Sequence, residues 1–231
     1  MNGVLLVNKP PGPTSHDVVR RIRALVNGAR VGHAGTLDPN AQGLLIILIG
    51  DATKRQSEFM TGEKEYVAAI HLGAISSTDD AEGKITAMSN TKIPITNDVR
   101  RVLRRFVGET EQIPPAYSAV KVGGMKAYEA ARRGKPIVLK PRRVMIREIE
   151  LLGYRYPSLK IRVACAAGTY IRALARDVGE KLGCGAYLQA LTRTRSGIFR
   201  LDDAVPLETL TETAWRTHLL PSTAIPSTLN R

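Results

Sequence analysis

The sequence predicts an α+β fold with a mixed, mostly antiparallel central sheet flanked by helices. Three observations lead to this prediction. Polar and apolar residues alternate over residues 159–166, which is typical of a strand with one covered face. Apolar residues recur at helical spacing over residues 18–26 and 171–182. Predicted strands and helices are interspersed without the regular strand–helix–strand period of a parallel sheet.

The N-terminal part begins with a short strand over residues 3–7, which a Pro- and Gly-rich turn ends. A helix follows, with Thr14 or Ser15 as its N-cap and Gly28 as its stop. Its apolar face is formed by Val18, Val19, Ile22, Leu25 and Val26. The uninterrupted apolar run "LLIILI" at residues 44–49 indicates a buried strand.

The middle of the chain contains a predicted strand over residues 65–73, followed by the acidic loop "STDDAEGK". A short helix over residues 97–108 comes next, with Asn97 as its cap. Residues 117–134 favour a strand, a glycine turn and a short helix, and residues 142–154 favour a further strand.

The strand at residues 159–166 turns directly into the helix at residues 171–182 through the sequence Ala-Gly-Thr. This arrangement places Tyr170 and Arg172 at the strand-to-helix junction. Side chains at such junctions commonly project into a cleft, so both are candidate site residues.

The composition indicates a soluble globular protein of 231 residues, of which 43% are hydrophobic and 24% charged. No apolar run approaches the roughly 20 residues that cross a bilayer, and the start lacks the features of a signal peptide. We therefore expect a cytoplasmic protein. The two cysteines, Cys165 and Cys184, are too few for a disulfide framework and too far apart for a zinc knuckle, and we interpret both as buried apolar residues.

The net charge of +13 is concentrated in one part of the chain. Residues 121–200 contain 18 Lys or Arg against 5 Asp or Glu, whereas residues 1–120 contain 14 against 12 and residues 201–231 contain 2 against 4. Tyrosines interleaved with this basic segment offer surfaces on which bases can stack. The pattern favours a nucleic-acid partner over anionic lipid, because no basic amphipathic helix of the membrane-surface type is present.

A lone carboxylate, Asp38, lies in the segment "GHAGTLDPNAQGLL" at residues 32–45. Asp-Pro and Gly-Thr pairs are ordinary turn chemistry, so a purely structural turn is one interpretation. The density of glycines around the acid, with His33 five residues before it, leaves a chemical role open as the alternative. Familiar signatures such as a nucleophile elbow, a phosphate loop or a zinc motif are absent, and the four histidines are too scattered for a metal site. Any chemistry therefore depends on Asp38.

Five ordered blocks carry a family resemblance, which extends from about residue 3 to about residue 207. They are "GVLLVNKPPGPTSHDVV", "VGHAGTLDPNAQGLLIILIGDATK", "EKEYVAAIHLG", "PPAYSAVKVGGMKAYEAARRG" and "GTYIRALARDVGEKLGCGAYLQALTRTRSGIF". Together they resemble the bacterial TruB family of tRNA pseudouridine synthases. The resemblance implies the pseudouridine synthase fold and a cofactor-free, metal-free isomerase that converts uridine 55 in the T-arm loop of tRNA to pseudouridine.

The same resemblance implies roles for individual residues. Asp38 matches the catalytic aspartate, Arg172 the arginine that pairs with it, and Tyr66 the tyrosine that stacks on the target base. Tyr170 and Leu191 match residues that line the pocket around the flipped base, and His33 matches a histidine that stacks in the reorganised RNA loop. Judged from the pattern alone, a core position is the alternative for Tyr66, whereas Leu191 would be assigned to the core and His33 to a structural role.

Two further segments match the family. Lys9 and Pro10 belong to a motif that we interpret as packing support for the catalytic loop. The segment "KVGGMKAYEAARRGKP", with Gly123 and Gly124 and five Lys or Arg residues, is the part that we expect to close over the RNA.

The family usually continues into a C-terminal RNA-binding domain of the PUA type, and this sequence stops roughly where that domain would begin, either as a naturally short form or because the sequence was cut. We therefore expect a catalytic domain at residues 1–207, a C-terminal tail at residues 208–231, and a monomer without an obligate protein partner. Two alternatives stay open at this point: a non-catalytic RNA-binding or RNA-folding protein on the same scaffold, and the catalytic subunit of a guide-RNA-directed particle.

Overall fold

The computed structural model describes residues 2–89, 91–135 and 137–221. The α-helices are α1 Ser15–Leu25, α2 Gln56–Thr61, α3 Thr96–Arg104, α4 Ala127–Arg132 and α5 Ile171–Leu182. Short 3₁₀ helices lie at Gly50–Arg55, Leu201–Asp203, Leu207–Thr209 and Ala214–His218. None of the helices within these residues is long and apolar enough to cross a membrane.

The strands are β1 Gly3–Lys9, β2 Val31–Ala34, β3 Gln42–Ile49, β4 Lys64–Leu72, β5 Ala74–Ser76, β6 Ile85–Ala87, β7 Gly108–Gln112, β8 Lys121–Val122, β9 Met125–Lys126, β10 Arg142–Arg155, β11 Ser158–Cys165, β12 Ala186–Ser196, β13 Phe199–Arg200, β14 Val205–Pro206 and β15 Leu220–Pro221. The chain forms two compact units, one of residues 1–66 and 191–231 and one of residues 67–190. The predicted α+β class with a mixed sheet and flanking helices is confirmed.

The first unit is built around β1 and β3, which pair antiparallel from Gly3 opposite Ile49 to Lys9 opposite Gly43. Strand β14 adds to β1 in parallel, β2 pairs antiparallel with β3, and the end of β12 pairs with β3 in parallel. Every residue of the predicted strand 44–49 is fully buried, because both faces of β3 are covered. The described part of the predicted tail belongs to this unit: β15 pairs with β1, and Trp215 is almost fully buried.

Helix α1 begins with a capping box that resolves the choice between its two candidate caps. The Thr14 hydroxyl accepts from the Asp17 amide, and the Asp17 carboxylate accepts from the Thr14 amide. Ser15 is the first helical residue, and its hydroxyl bonds to the backbone of Leu37 instead of capping the helix. The predicted apolar face lies inward as expected, except that Leu25 is half-buried.

The second unit contains a sheet in the order β4, β11, β10 and β7, of which β11 with β10 and β10 with β7 pair antiparallel. The alternation predicted over residues 159–166 is confirmed, because Leu159, Ile161, Val163 and Cys165 are all fully buried. Helix α5 begins at the predicted junction, and its apolar face is buried apart from Leu182, which is half-buried. Both cysteines are buried, as predicted.

The prediction for α3 was wrong at both ends. The N-cap is Ile95, whose carbonyl accepts from the Val99 amide, so that Asn97 lies inside the first turn instead of capping it. The helix ends at Arg104, because tighter bonds close the last turn, such as that from the Phe106 amide to the Leu103 carbonyl.

The segment 117–134 forms the β8–β9 hairpin and α4, in agreement with the predicted order of strand, glycine turn and helix. Gly123 and Gly124 form the turn, with φ of 58° and 84°. A two-residue hairpin turn of this kind requires positive φ at both positions, which explains the glycine pair.

The close approach of β3 and β12 leaves no room for a side chain at Gly43. This glycine has a φ of 101°, and a Cβ there would lie 2.4 Å from the Arg193 carbonyl oxygen. We expect Gly43→Ala to lower the free energy of unfolding by about 2 to 4 kcal/mol, measured by urea denaturation. Gly28→Ala is the matched control: its φ is 80° but the space around it is open, so we expect about 1 kcal/mol. Equal losses would contradict the steric explanation.

Candidate active site

Asp38 is half-buried in the loop between β2 and β3, within the first unit. Its carbonyl accepts from the Ala41 amide at 3.1 Å, which closes a turn over Pro39 and Asn40. The turn interpretation of this segment is therefore correct as far as the backbone is concerned. It does not exclude a chemical role, because the turn uses the Asp38 main chain.

Ser15 fixes the residue before the acid. Its hydroxyl donates to the Leu37 carbonyl at 3.0 Å and accepts from the Leu37 amide at 2.9 Å. Ser15 is almost fully buried, so both bonds are shielded from water. One hydroxyl thus satisfies both polar backbone groups of Leu37.

Lys9 fixes the residue after the acid. Its side chain is fully buried at the end of β1, and Nζ donates to the carbonyls of Pro10, Pro13 and Pro39 at 2.9, 2.7 and 2.8 Å. The Gly12 amide donates to the same Pro39 carbonyl at 2.9 Å. The predicted role of Lys9 as support for this loop is confirmed.

A buried arginine that the sequence analysis did not identify joins the two ends of the loop. Arg193 is 1% exposed, and its Nε donates to the Leu44 carbonyl at 2.7 Å while Nη2 donates to the Gly35 carbonyl at 2.9 Å. Its position on β12 gave no signal, because Arg195, two residues further along the same strand, is also an arginine and is more exposed.

His33 lies on β2, five residues before Asp38. Its ring meets the ring of His16 edge-on at 5.2 Å, and its Nδ1 is buried without a hydrogen-bond partner among the residues that the structure describes. Burial, together with the nearby His16 and Arg193, lowers the pKa of His33 from 6.5 to about 4. The ring is therefore neutral at physiological pH, which favours stacking over ionic contact.

Arg172 lies in the first turn of α5, in the second unit, and is 6% exposed. Nη1 donates to the Thr78 carbonyl at 3.3 Å and lies 3.5 Å from the Asp80 carboxylate, while Nη2 donates to the Tyr117 carbonyl at 2.9 Å. Asp80 belongs to the predicted acidic loop, but the sequence analysis assigned it no role. A carboxylate and two carbonyls thus orient the guanidinium.

Tyr170 is the N-cap residue of α5, as the junction predicted, and its backbone is held by a buried glutamine. The Gln112 side chain donates to the Tyr170 carbonyl at 3.0 Å and accepts from the Tyr170 amide at 2.8 Å. Gln112 is 3% exposed at the end of β7, and the sequence analysis missed it. The side-chain amide of Gln112 thus pairs with both backbone polar groups of Tyr170, as a neighbouring strand would.

The remaining candidates are Tyr66, half-buried on β4, and Leu191, buried on β12. The first unit contains His33, Asp38, Tyr66 and Leu191, and the second contains Tyr170 and Arg172. Within residues 2–89, 91–135 and 137–221, no group of three or more His, Cys, Asp or Glu residues is arranged to hold a metal ion.

Ser15→Ala tests the anchor before Asp38. We expect a loss of about 2 to 3 kcal/mol in the free energy of unfolding, because the Leu37 amide and carbonyl become buried and unpaired. Faster hydrogen exchange of the Leu37 amide would locate the effect. Ser158→Ala, at an exposed position of β11, is the control and should change neither quantity.

The lowered pKa of His33 predicts a pH-dependent stability. The unfolded histidine binds a proton near pH 6.5, whereas the folded ring does so only near pH 4. The free energy of unfolding should therefore fall between these values as the pH decreases. We expect His33→Gln to remove this component, measured by urea denaturation of both proteins across this range. An identical pH dependence in the variant would contradict the assignment.

Two family models match the chain: the TruB family pseudouridylate synthase N-terminal domain at residues 23–171, and the tRNA pseudouridylate synthase B C-terminal domain at residues 172–229. The predicted boundary at residue 207 is not tested by these matches and stays a prediction. Residues 222–231 of the predicted tail lie outside the described residues.

Two curated relatives are named tRNA pseudouridine synthase B. The protein from Francisella philomiragia is 44% identical over 98% of this chain and 76% of its own length, and that from Protochlamydia amoebophila is 44% identical over 89% and 78%.

Two solved structures share the fold. One is a Cbf5-Nop10-Gar1 complex, with a TM-score of 0.70, 34% identity and 89% of this chain covered. The other is an H/ACA RNP bound to a substrate RNA containing 2'-deoxyuridine, with a TM-score of 0.71, 29% identity and 95% covered. This chain spans 52% and 59% of those chains. With a family model across more than half of the sequence and relatives matched over most of their length, the chain belongs to the TruB family of pseudouridylate synthases.

Proposed function

We propose that this chain isomerises uridine 55 in the T-arm loop of tRNA to pseudouridine, with Asp38 as the catalytic carboxylate. The observation that carries the proposal is the fixation of Asp38: buried Ser15 and Lys9 hold the backbone of the residues on both sides of it. A reacting group must be positioned to a fraction of an ångström, and this loop provides that constraint.

The reaction is an isomerisation within one nucleotide, so few protein side chains are needed to catalyse it. The bond from the sugar to N1 of uracil breaks, a bond from the same sugar carbon to C5 forms, and one proton moves from C5 to N1. Because no atom and no electron is gained or lost, the chemistry requires no redox cofactor. Asp38 attacks carbon 6 of the base or the sugar, or promotes glycosidic cleavage, and each route needs an ionised carboxylate.

The other candidate residues serve binding and orientation. Arg172, oriented by Asp80 and the Tyr117 carbonyl, is the cation that we propose to pair with Asp38. Tyr66 stacks on the target base and takes the C5 proton, Tyr170 and Leu191 line the pocket, and neutral His33 stacks in the remodelled RNA loop. Stacking offsets the few kcal/mol that extrusion of a base from its helix costs.

The basic segment at residues 121–200 binds the phosphates of the tRNA. Within it, the β8–β9 hairpin and α4 close over the RNA. Lys126 and Arg132 lie 5.5 and 5.6 Å from the centre of the Tyr128 ring, so this segment holds two cations close to an aromatic ring. We propose a cytoplasmic monomer that needs no protein partner.

Asp38→Asn tests the assignment directly. Purified protein is incubated with an unmodified tRNA transcript, and pseudouridine is mapped by position. We expect product at uridine 55 with the unaltered chain and a rate at least about a thousandfold lower with Asp38→Asn, a loss of about 4 kcal/mol in transition-state stabilisation. Asp203→Asn, at an exposed aspartate, is the control and should keep full activity.

The same experiment separates the alternatives. Transcript binding without product from the folded, unaltered protein would favour a non-catalytic RNA-binding or RNA-folding role. The likeness to an H/ACA particle raises a guide-dependent enzyme as the second candidate. Modification of a bare transcript by the protein alone would exclude that candidate.

A further inference from the structure

A second arginine lies one helical turn after Arg172 on α5. Arg176 Nη1 donates to the Asp79 carboxylate at 2.9 Å, Nε donates to Asp177 at 2.9 Å, and Nη2 donates to the Ile113 carbonyl at 2.9 Å. All of these residues belong to the unit of residues 67–190. Every nitrogen of this guanidinium therefore has an acceptor within the protein.

Arg172 and Arg176 bridge the same two segments. Residues four apart lie on one face of a helix, so the two arginine side chains leave the same face of α5. Each contacts the acidic loop, at Thr78 and Asp80 for Arg172 and at Asp79 for Arg176. Each also donates to a carbonyl in residues 113–117. The contacts of Arg176 thus fix the two segments that supply the acceptors of Arg172.

Asp79 has a backbone conformation that persists only when surrounding contacts hold it. Asp79 has a φ of 63°, a left-handed conformation that non-glycine residues seldom adopt. Its carbonyl accepts from the Leu188 amide at 2.9 Å, and the next residue, Asp80, forms an isolated bridge with Leu188. The loop is therefore held from α5 and from β12 at Asp79, which lies between the two residues that supply acceptors to Arg172.

The Asp79–Arg176 pair is a weak source of stability. Burial raises the pKa of the Asp79 carboxyl above its ordinary value, although Arg176 and Arg172 both lower it. A buried pair whose desolvation outweighs its attraction contributes little to folding, so its role is better sought in geometry.

We propose that Arg176 is a positioning residue for Arg172: by tying the acidic loop and residues 113–117 to α5, it sets the orientation of the Arg172 guanidinium. This inference rests on the proposed function, in which Arg172 pairs with Asp38. Arg176 acts through Arg172 and contacts neither the uridine nor its phosphates.

The kinetic test compares Arg176→Gln, Arg176→Lys and Asp79→Asn under single-turnover conditions, with tRNA affinity measured separately. We expect Arg176→Gln to lower the single-turnover rate constant about tenfold or more with less than a threefold change in Kd, because misorientation affects the chemical step. Arg176→Lys should recover part of the rate, since it keeps the charge near Asp79. Asp79→Asn combined with Arg176→Gln should cost no more than Arg176→Gln alone.

Arg101→Gln is the control. It removes the exposed partner of Asp98 on α3, in the same unit but outside the basic segment at residues 121–200, and should leave the rate constant unchanged. An unchanged rate in Arg176→Gln would overturn the proposal. So would a loss confined to Kd and its salt dependence, which would mean that Arg176 binds phosphate.

Hydrogen exchange gives a readout that does not depend on activity. We expect Arg176→Gln to speed exchange in residues 77–88 and 113–117, while exchange in β10 and β11 stays as in the unaltered protein. If the unaltered chain does not modify tRNA, the proposed function fails, whereas this measurement still reports whether Arg176 holds the two segments. Unchanged exchange there would overturn the inference on its own.

Discussion

The fixed backbone on either side of Asp38 is the constraint on which the first unit depends. Leu37 and Pro39 are held by Ser15 and Lys9, which lie at the two ends of the segment that joins β1 to α1. That segment can reach the loop because β1 pairs with β3 along its whole length, which brings Lys9 opposite Gly43. The strand pairing, the capping box of α1 and the Pro-rich turn thus together position Lys9 and Ser15 against the loop that contains Asp38.

Buried cations in this protein are satisfied mainly by backbone carbonyls. Lys9 donates to three carbonyls and Arg193 to two, and Arg172 donates to two in addition to its contact with Asp80. Carbonyl dipoles stabilise a cation without cancelling its charge, whereas a carboxylate partner would neutralise it. This arrangement fixes loops and preserves positive potential, which suits a protein whose proposed substrate is a polyanion.

Local sequence patterns predicted most helices and strands of the fold. They did not predict the residues whose roles depend on partners far away in the sequence. The alternation in β11, the apolar run of β3 and the helix at residues 171–182 depend on neighbours in sequence, and the structure confirms them. The roles of Arg193, Gln112 and Asp80 depend on partners 58 or more residues away. No periodicity in a single sequence reveals such pairs, because an arginine that is buried against carbonyls looks the same as one on a solvated strand.

The anchors of the loop that contains Asp38 bind its main chain, so the position of the loop does not depend on its exposed side chains. Ser15, Lys9 and Arg193 contact amide and carbonyl groups of the loop and of its ends, so they hold its course whatever side chains it carries. Thr36 and Asn40, next to the anchored residues, are exposed. Their side chains can therefore change to suit the RNA without displacing Asp38. A loop held in this way can adapt its contacts to a new substrate while the chemistry stays in place.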